Sequence, residues 1–122
     1  MKAAPFEYVR AQTVEEACAL LAEDADAAII AGGQTLVPMM AMRLARPTRL
    51  IDIARISALQ GIRRVADTIS IGATTRQAQA ETSAAVASHA PLLAKALPWV
   101  GHAATRSRGT VGGSVANADP AA

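Results

Sequence analysis

Two glycine segments, Gly32-Gly33-Gln34-Thr35 and Thr110-Val111-Gly112-Gly113-Ser114, hold the residue types that suit capture of a phosphate. Glycine has no Cβ, so its backbone can approach a pyrophosphate closely, adopt a positive φ and turn its N–H groups toward an anion. The Gln34 amide and the hydroxyls of Thr35, Thr110 and Ser114 add donors, and Arg106 and Arg108 flank the second segment. Local chemistry leaves two readings open. A long ligand with a diphosphate in its middle could be gripped by one loop from each half of the chain, its ring near Asn117 and Asp119; alternatively the segments are two independent turns. Neither is a P-loop or a Rossmann fingerprint, because Gly-x-x-x-x-Gly-Lys and Gly-x-Gly-x-x-Gly are both absent.

No other group offers itself for catalysis or metal binding. Cys18, the single cysteine, cannot form an internal disulfide or hold an iron–sulfur cluster or structural zinc by itself, and it is expected to face the core as a small hydrophobe. His89 and His102 have no carboxylate or cysteine at ligand spacing, so no metal site and no catalytic residue is assigned. Trp99 either lines the pocket of a ligand's ring or, as expected here, packs with Leu93, Leu97 and Val100 at a helix end. Arg43, Arg46 and Arg49 form either a basic patch toward a partner or an ordinary solvated face.

The elements that must position the two glycine segments follow from periodicity and turn signals. Phe6, Tyr8 and Val9 read as a short strand, and Thr13-Val14-Glu15-Glu16 as a capping box opening a helix to about Glu23, with Val14, Ala17, Cys18 and Leu21 at helical spacing. Ala27 to Ala31 is a short apolar run suited to a strand buried on both faces, ending at Gly32-Gly33. Leu36, Val37, Met39, Met40 and Leu44 continue as a helix with Pro38 in its first turn and Pro47 at its exit, and Leu50 to Ile53 is a further buried strand. The first lobe, residues 1–60, is thus a βαβαβ unit with mainly parallel pairing.

From residue 61 a second lobe is expected to 122. Ile62–Val65 and Thr68–Ile71 suggest a hairpin through Ala66-Asp67, and Thr74-Thr75-Arg76-Gln77 a second capping box. Ser83 to His89 and Pro91 to Leu97 look helical, whereas residues 109–122 show three glycines and no helical period. That stretch lacks a closing element, so the second lobe is expected to be incomplete.

Bulk properties narrow the function classes. A composition 52% hydrophobic but only 2% aromatic demands a core of Ala, Leu, Ile, Val and Met, as in a soluble globular chain. No apolar stretch reaches the ~20 residues of a membrane span, and the first ten residues do not look like a secretory signal, so the cytoplasm is the expected compartment. A net charge of +2, spread without interleaved aromatics, gives no support to nucleic-acid binding.

Ala31-Gly32-Gly33-Gln34-Thr35-Leu36, Gly72-Ala73-Thr74-Thr75 and the run from Arg108 through Gly112-Gly113-Ser114-Val115-Ala116-Asn117-Ala118-Asp119-Pro120 resemble the flavin subunits of molybdenum hydroxylases, the xanthine and carbon monoxide dehydrogenase flavoproteins. The resemblance covers essentially the whole chain. It implies an α+β, two-lobed FAD-binding fold of the PCMH / CO dehydrogenase flavoprotein type, truncated to its N-terminal half, with the C-terminal domain absent. It further implies that Ala31, Gly32, Gly33, Gln34, Thr35 and Leu36, with Thr110, Gly112, Gly113 and Ser114, hold the FAD diphosphate, and that Asn117 and Asp119 lie beside the ribityl chain and flavin. Thr35 stands where the family commonly has serine, and Ser107 where it often has asparagine.

On that resemblance, molybdopterin and [2Fe-2S] clusters belong to a molybdenum-binding large subunit and an iron–sulfur small subunit. FAD here passes electrons to NAD or another acceptor. A molybdenum-independent flavin oxidase or dehydrogenase of similar fold, and a non-catalytic assembly module, remain as alternatives.

Overall fold

The computed structural model describes residues 1–120, which form two compact units, Met1–Ala58 and Leu59 onward. In the first, β1 (Glu7–Arg10), α1 (Val14–Glu23), β2 (Ala28–Ile30), α2 (Leu36–Ala41) and β3 (Arg49–Asp52) alternate as expected. Both pairings are parallel, in the order β1-β3-β2, with Val9 and Ile29 each opposite Ile51. Crossover helices are what allow such short parallel strands to pair. The central strand therefore carries the core: Leu50 and Ile51 are buried, together with Ala11, Ala17, Met40 and Ile56.

Helix α1 starts where the capping box placed it. Thr13 Oγ1 accepts from the Glu16 amide at 3.1 Å, and the Glu16 carboxylate reaches back to the Gln12 amide at 2.8 Å. Three expectations for this unit are corrected. Strand β2 is not buried on both faces; it is an edge strand beside β3, and its central Ile29 is exposed. Cys18 is exposed as well. The packed stripe of α1 runs through Glu16, Ala17 and Leu20, about one position round the helix from the expected one, and this turns Cys18 to the surface. Finally, Leu44 lies outside α2. Arg43, at φ +58°, ends that helix with the paired bonds of a Schellman motif, Arg43 N–H to Met40 O and Leu44 N–H to Met39 O.

In the second unit β4 (Ile62–Val65) and β5 (Thr68–Ile71) pair antiparallel through Ala66-Asp67, with Ala66 at φ +53°. A positive φ matches the twist of a two-residue hairpin loop. Helices α3 (Gln77–Glu81), α4 (Ala84–His89), α5 (Pro91–Ala96), α6 (Ala103–Arg108) and α7 (Val111–Asn117) follow. Ala80, Val86 and Leu97 form the buried centre, with Ile62, Ile69 and Ile71 of the hairpin and Val111 of α7 against them.

Three expectations fail in this unit. The second capping box does not form: the N-cap of α3 is Arg76, without a side-chain cap. The buried threonines brace the backbone instead, Thr74 Oγ1 donating to Leu59 O, and Thr75 Oγ1 donating to Gly61 O while accepting from the Gly61 amide. Trp99 is 87% exposed; Leu97 alone of the expected cluster is buried, because a 3-10 turn over Leu97–Trp99 swings the indole outward. The stretch after Gly109 is not irregular but helical through Asn117, since Thr110 caps it and Gly112 and Gly113 sit in its first turn.

Candidate functional site

The first glycine segment is the turn between β2 and α2. Ala31, Gly32 and Gly33 are half-buried, Gln34 and Thr35 exposed, and Leu36 opens the helix. Gly33 adopts φ +70°, a conformation glycine reaches at no steric cost, and a Cβ there would stand 3.0 Å from Val37 Cγ2. No described residue accepts a hydrogen bond from the amides of Gly32, Gly33, Gln34, Thr35 or Leu36. The Gln34 carboxamide folds back onto Gly32 O at 3.3 Å, and the Thr35 hydroxyl makes no cap bond. Five successive donors without protein acceptors, in a half-exposed turn, are what an anionic diphosphate needs.

The second segment is built differently. Thr110 is buried and caps α7, its Oγ1 accepting from the Gly113 amide at 3.1 Å. The other early amides of α7 are also committed: Val111 N–H to Thr75 O at 2.9 Å, Gly112 N–H to Ala73 O at 2.8 Å, Ser114 N–H to Thr110 O at 3.1 Å. Gly112 is glycine for packing, since an added Cβ would lie 2.6 Å from Ala73 O and from Ala73 Cβ. Gly113 is exposed, and the one close neighbour of a Cβ there would be its own cap, Thr110 Oγ1 at 2.6 Å. The segment can therefore offer a ligand the Ser114 hydroxyl, the exposed Asn117 carboxamide at the end of α7, and close approach over Gly113. Asp119 follows Ala118, whose left-handed φ of +53° terminates the helix.

The arginines are largely committed elsewhere. Arg106 Nε bonds Glu81 Oε2 at 2.9 Å and its Nη1 reaches Val100 O and Gly101 O at 3.2 and 3.3 Å, so it braces α6 against α3 instead of facing the glycines. The Arg108 carbonyl accepts from Arg76 Nη1, while its own side chain is exposed. Arg43 donates to Lys2 O and Arg46 to Arg43 O, both side chains being exposed, while Arg49 pairs with Glu7 and Glu23 at 3.0 and 3.3 Å. The carboxyl of Asp24 is held below its ordinary value by the Thr48 hydroxyl and then the Asp26 amide, and Arg49 is raised by Glu7; neither lies at the glycine turns.

Among the described residues no group of three or more His, Cys, Asp or Glu could hold a metal ion, and no helix is long and apolar enough to cross a membrane. Sequence reasoning missed the support of the second segment, namely Ala73, Thr75 and the buried Gln77. The Gly72-Ala73-Thr74-Thr75 motif marked the place, but not that its carbonyls receive the first amides of α7.

Comparison with known proteins accords with this geometry. Residues 4–122 match the family described as the FAD binding domain in molybdopterin dehydrogenase. The chain is 49% identical over 123 residues to the 6-hydroxypseudooxynicotine dehydrogenase complex subunit alpha of Paenarthrobacter nicotinovorans, covering 100% of this chain and 42% of that protein. Among solved structures, carbon monoxide dehydrogenase from Hydrogenophaga pseudoflava, which lacks the Mo-pyranopterin moiety of its molybdenum cofactor, matches with a TM-score of 0.96 at 44% identity, over 98% of this chain and 42% of that one. Quinoline 2-oxidoreductase from Pseudomonas putida 86 matches with a TM-score of 0.96 at 43% identity, over 100% and 43%. The chain thus spans somewhat less than half the length of the relatives it matches, and with the family matched over nearly all of its residues it belongs to the FAD-binding domains of molybdopterin dehydrogenases.

Proposed function

We propose that this chain binds FAD chiefly through the cofactor's diphosphate, with the amides of Gly32 to Leu36 as principal donors and Ser114, Asn117 and the open backbone at Gly113 as the contribution of the second unit. In this reading Asp119 orients the flavin. The observation that carries the reading is the row of five unaccepted amides around Gly33 at φ +70°. A buried or ligand-covered N–H without an acceptor costs about 1–3 kcal/mol, so such a row is tolerable only where water or an anion meets it.

The fit is chemical as well as steric. A diphosphate presents acceptors only, and the turn presents donors only, with no carboxylate in residues 31–36 to repel it. FAD, when bound, supplies a centre that can exchange electrons singly or in pairs. The chain's own residues hold the diphosphate and orient the ring; none of them is needed as acid, base or nucleophile. In the whole protein we infer a role as the flavin subunit of a molybdenum hydroxylase, between iron–sulfur clusters on one partner and NAD or another acceptor. Molybdopterin would sit on a further, large subunit. Support for partners comes from relatives: one is named as a subunit of a dehydrogenase complex and another is a molybdenum enzyme.

The test is a fluorescence titration of FAD into the 122-residue chain, its Ser114→Ala variant and a Gly33→Asp, Gly113→Asp double variant, each checked for fold by circular dichroism. Saturable binding that weakens in Ser114→Ala and vanishes in the folded double variant is expected. A folded wild type that takes up no FAD would refute the assignment for this chain.

A further inference from the structure

Gln77 is 5% exposed, the most deeply buried amide side chain in the second unit. Its backbone amide bonds Gly109 O at 2.9 Å and its Nε2 donates to Ser114 Oγ at 2.9 Å. The Oε1 atom packs on Gly109: a Cβ at that position would come within 2.6 Å of Oε1 and 3.0 Å of Thr105 O. Gly109 is itself buried, so its lack of a side chain makes the space the carboxamide occupies.

Ser114 is exposed, and its hydroxyl donates to no described residue. A serine in a helix commonly donates back to the carbonyl four residues earlier, here Thr110 O, but that oxygen accepts from the Ser114 amide and not from its hydroxyl. Because the inward lone pair of Oγ is filled by a buried donor, the hydroxyl proton is left to point outward. Were the carboxamide reversed, Oε1 would take that proton and Ser114 would show an outside ligand only lone pairs.

We propose that Gln77 is a positioning residue that fixes the polarity of Ser114, making it an outward donor for an anionic ligand, with Gly109 leaving the room that the carboxamide fills. The proposal rests on the reading of this site as a diphosphate cradle and deepens it. A buried amide is suited to the task because, unlike water or a hydroxyl, it cannot exchange its donor and acceptor roles by rotating a proton.

The experiment is a double-mutant cycle on the 122-residue chain, with Gln77→Met as an apolar replacement of similar length, Gln77→Glu as an isostere that accepts from Ser114, and Ser114→Ala. Two quantities are read: FAD affinity, and the 15N–1H resonances of the Gln77 side-chain amide without ligand. Gln77→Met is expected to weaken FAD severalfold and Gln77→Glu by about tenfold or more, the scale of one hydrogen bond to a charged group. In the Ser114→Ala background the Gln77→Met loss should vanish, because Gln77 acts through that hydroxyl. The Gln77 amide resonances should be slow to exchange in wild type and move on Ser114→Ala.

FAD binding with a Gln77→Met loss that persists undiminished in Ser114→Ala, or with no loss at all, would overturn the proposal while leaving the flavin site intact. A wild type with protected Gln77 resonances but no FAD uptake would overturn the flavin site and this proposal together.

Discussion

Adjacent glycines in the second segment should respond to the same substitution unequally. A methyl group at residue 112 would meet Ala73 O and Cβ at 2.6 Å and Ala73 Cα at 2.7 Å, all backbone or rigidly attached atoms. Restoring ordinary contact requires α7 to move off Ala73 by roughly 1 Å. That movement strains two bonds, Gly112 N–H to Ala73 O and Val111 N–H to Thr75 O. Overpacking costs about 1–3 kcal/mol and each weakened bond about 1 kcal/mol, against roughly 1 kcal/mol gained from alanine's helix propensity, so Gly112→Ala should lose about 2–4 kcal/mol.

At residue 113 the methyl meets only Thr110 Oγ1, which can rotate away. The lost cap costs about 1 kcal/mol and the helix propensity of alanine returns a similar amount, so Gly113→Ala should be close to neutral in stability. Urea denaturation followed by far-ultraviolet circular dichroism measures both. If Gly112→Ala unfolds at the same urea concentration as wild type, or if the two variants are equally destabilised, the distinction between a packing glycine and an access glycine is wrong.

Other perturbations test other parts of the structure. Gly33→Ala forces alanine to φ +70° with its Cβ 3.0 Å from Val37, so it should cost about 1–2 kcal/mol by melting and weaken FAD in titration. Arg106→Met leaves the half-buried Glu81 without its partner and frees two carbonyls, and should destabilise by about 2–4 kcal/mol; a Glu81→Gln change in the same chain should recover part of that loss. Asp24 has its carboxyl held below the ordinary value in the folded chain, so it contributes stability above that ordinary value and loses it as pH falls through the lowered one. The stability gap between wild type and Asp24→Asn should accordingly be open at neutral pH and close as the pH falls below about 3.9, as read from urea midpoints.

How far the sequence could be read depended on whether a signal was local. The capping box at Thr13 and Glu16, the apolar run of β3, the hairpin turn at Ala66-Asp67 and the strand–glycine–helix order around Gly33 each depend on a few neighbouring residues, and each formed where expected. The failures came where tertiary partners decide. Cys18 and Leu44 satisfied a helical period, but the actual stripe of α1 and the Schellman end of α2 turned them outward. Thr74 and Thr75 had the spacing of a cap yet were claimed by Leu59 and Gly61. Most tellingly, two glycines disguised α7: residue 112 is glycine because Ala73 leaves room for no side chain, a constraint set by a residue 39 positions away, and the helix is started by the Thr110 cap. The two glycine segments were legible as places, while their unequal chemistry, free amides at one and committed amides at the other, was not.

The most direct test of the central claim is a 15N–1H correlation spectrum of the labelled chain recorded with and without FAD. The account predicts that the amides of Gly32, Gly33, Gln34, Thr35 and Leu36 shift strongly and gain protection from exchange, while those of Val111 and Gly112, already bonded to Thr75 and Ala73, shift little. FAD binding that leaves residues 32–36 unmoved, or that moves only the first turn of α7, would contradict it.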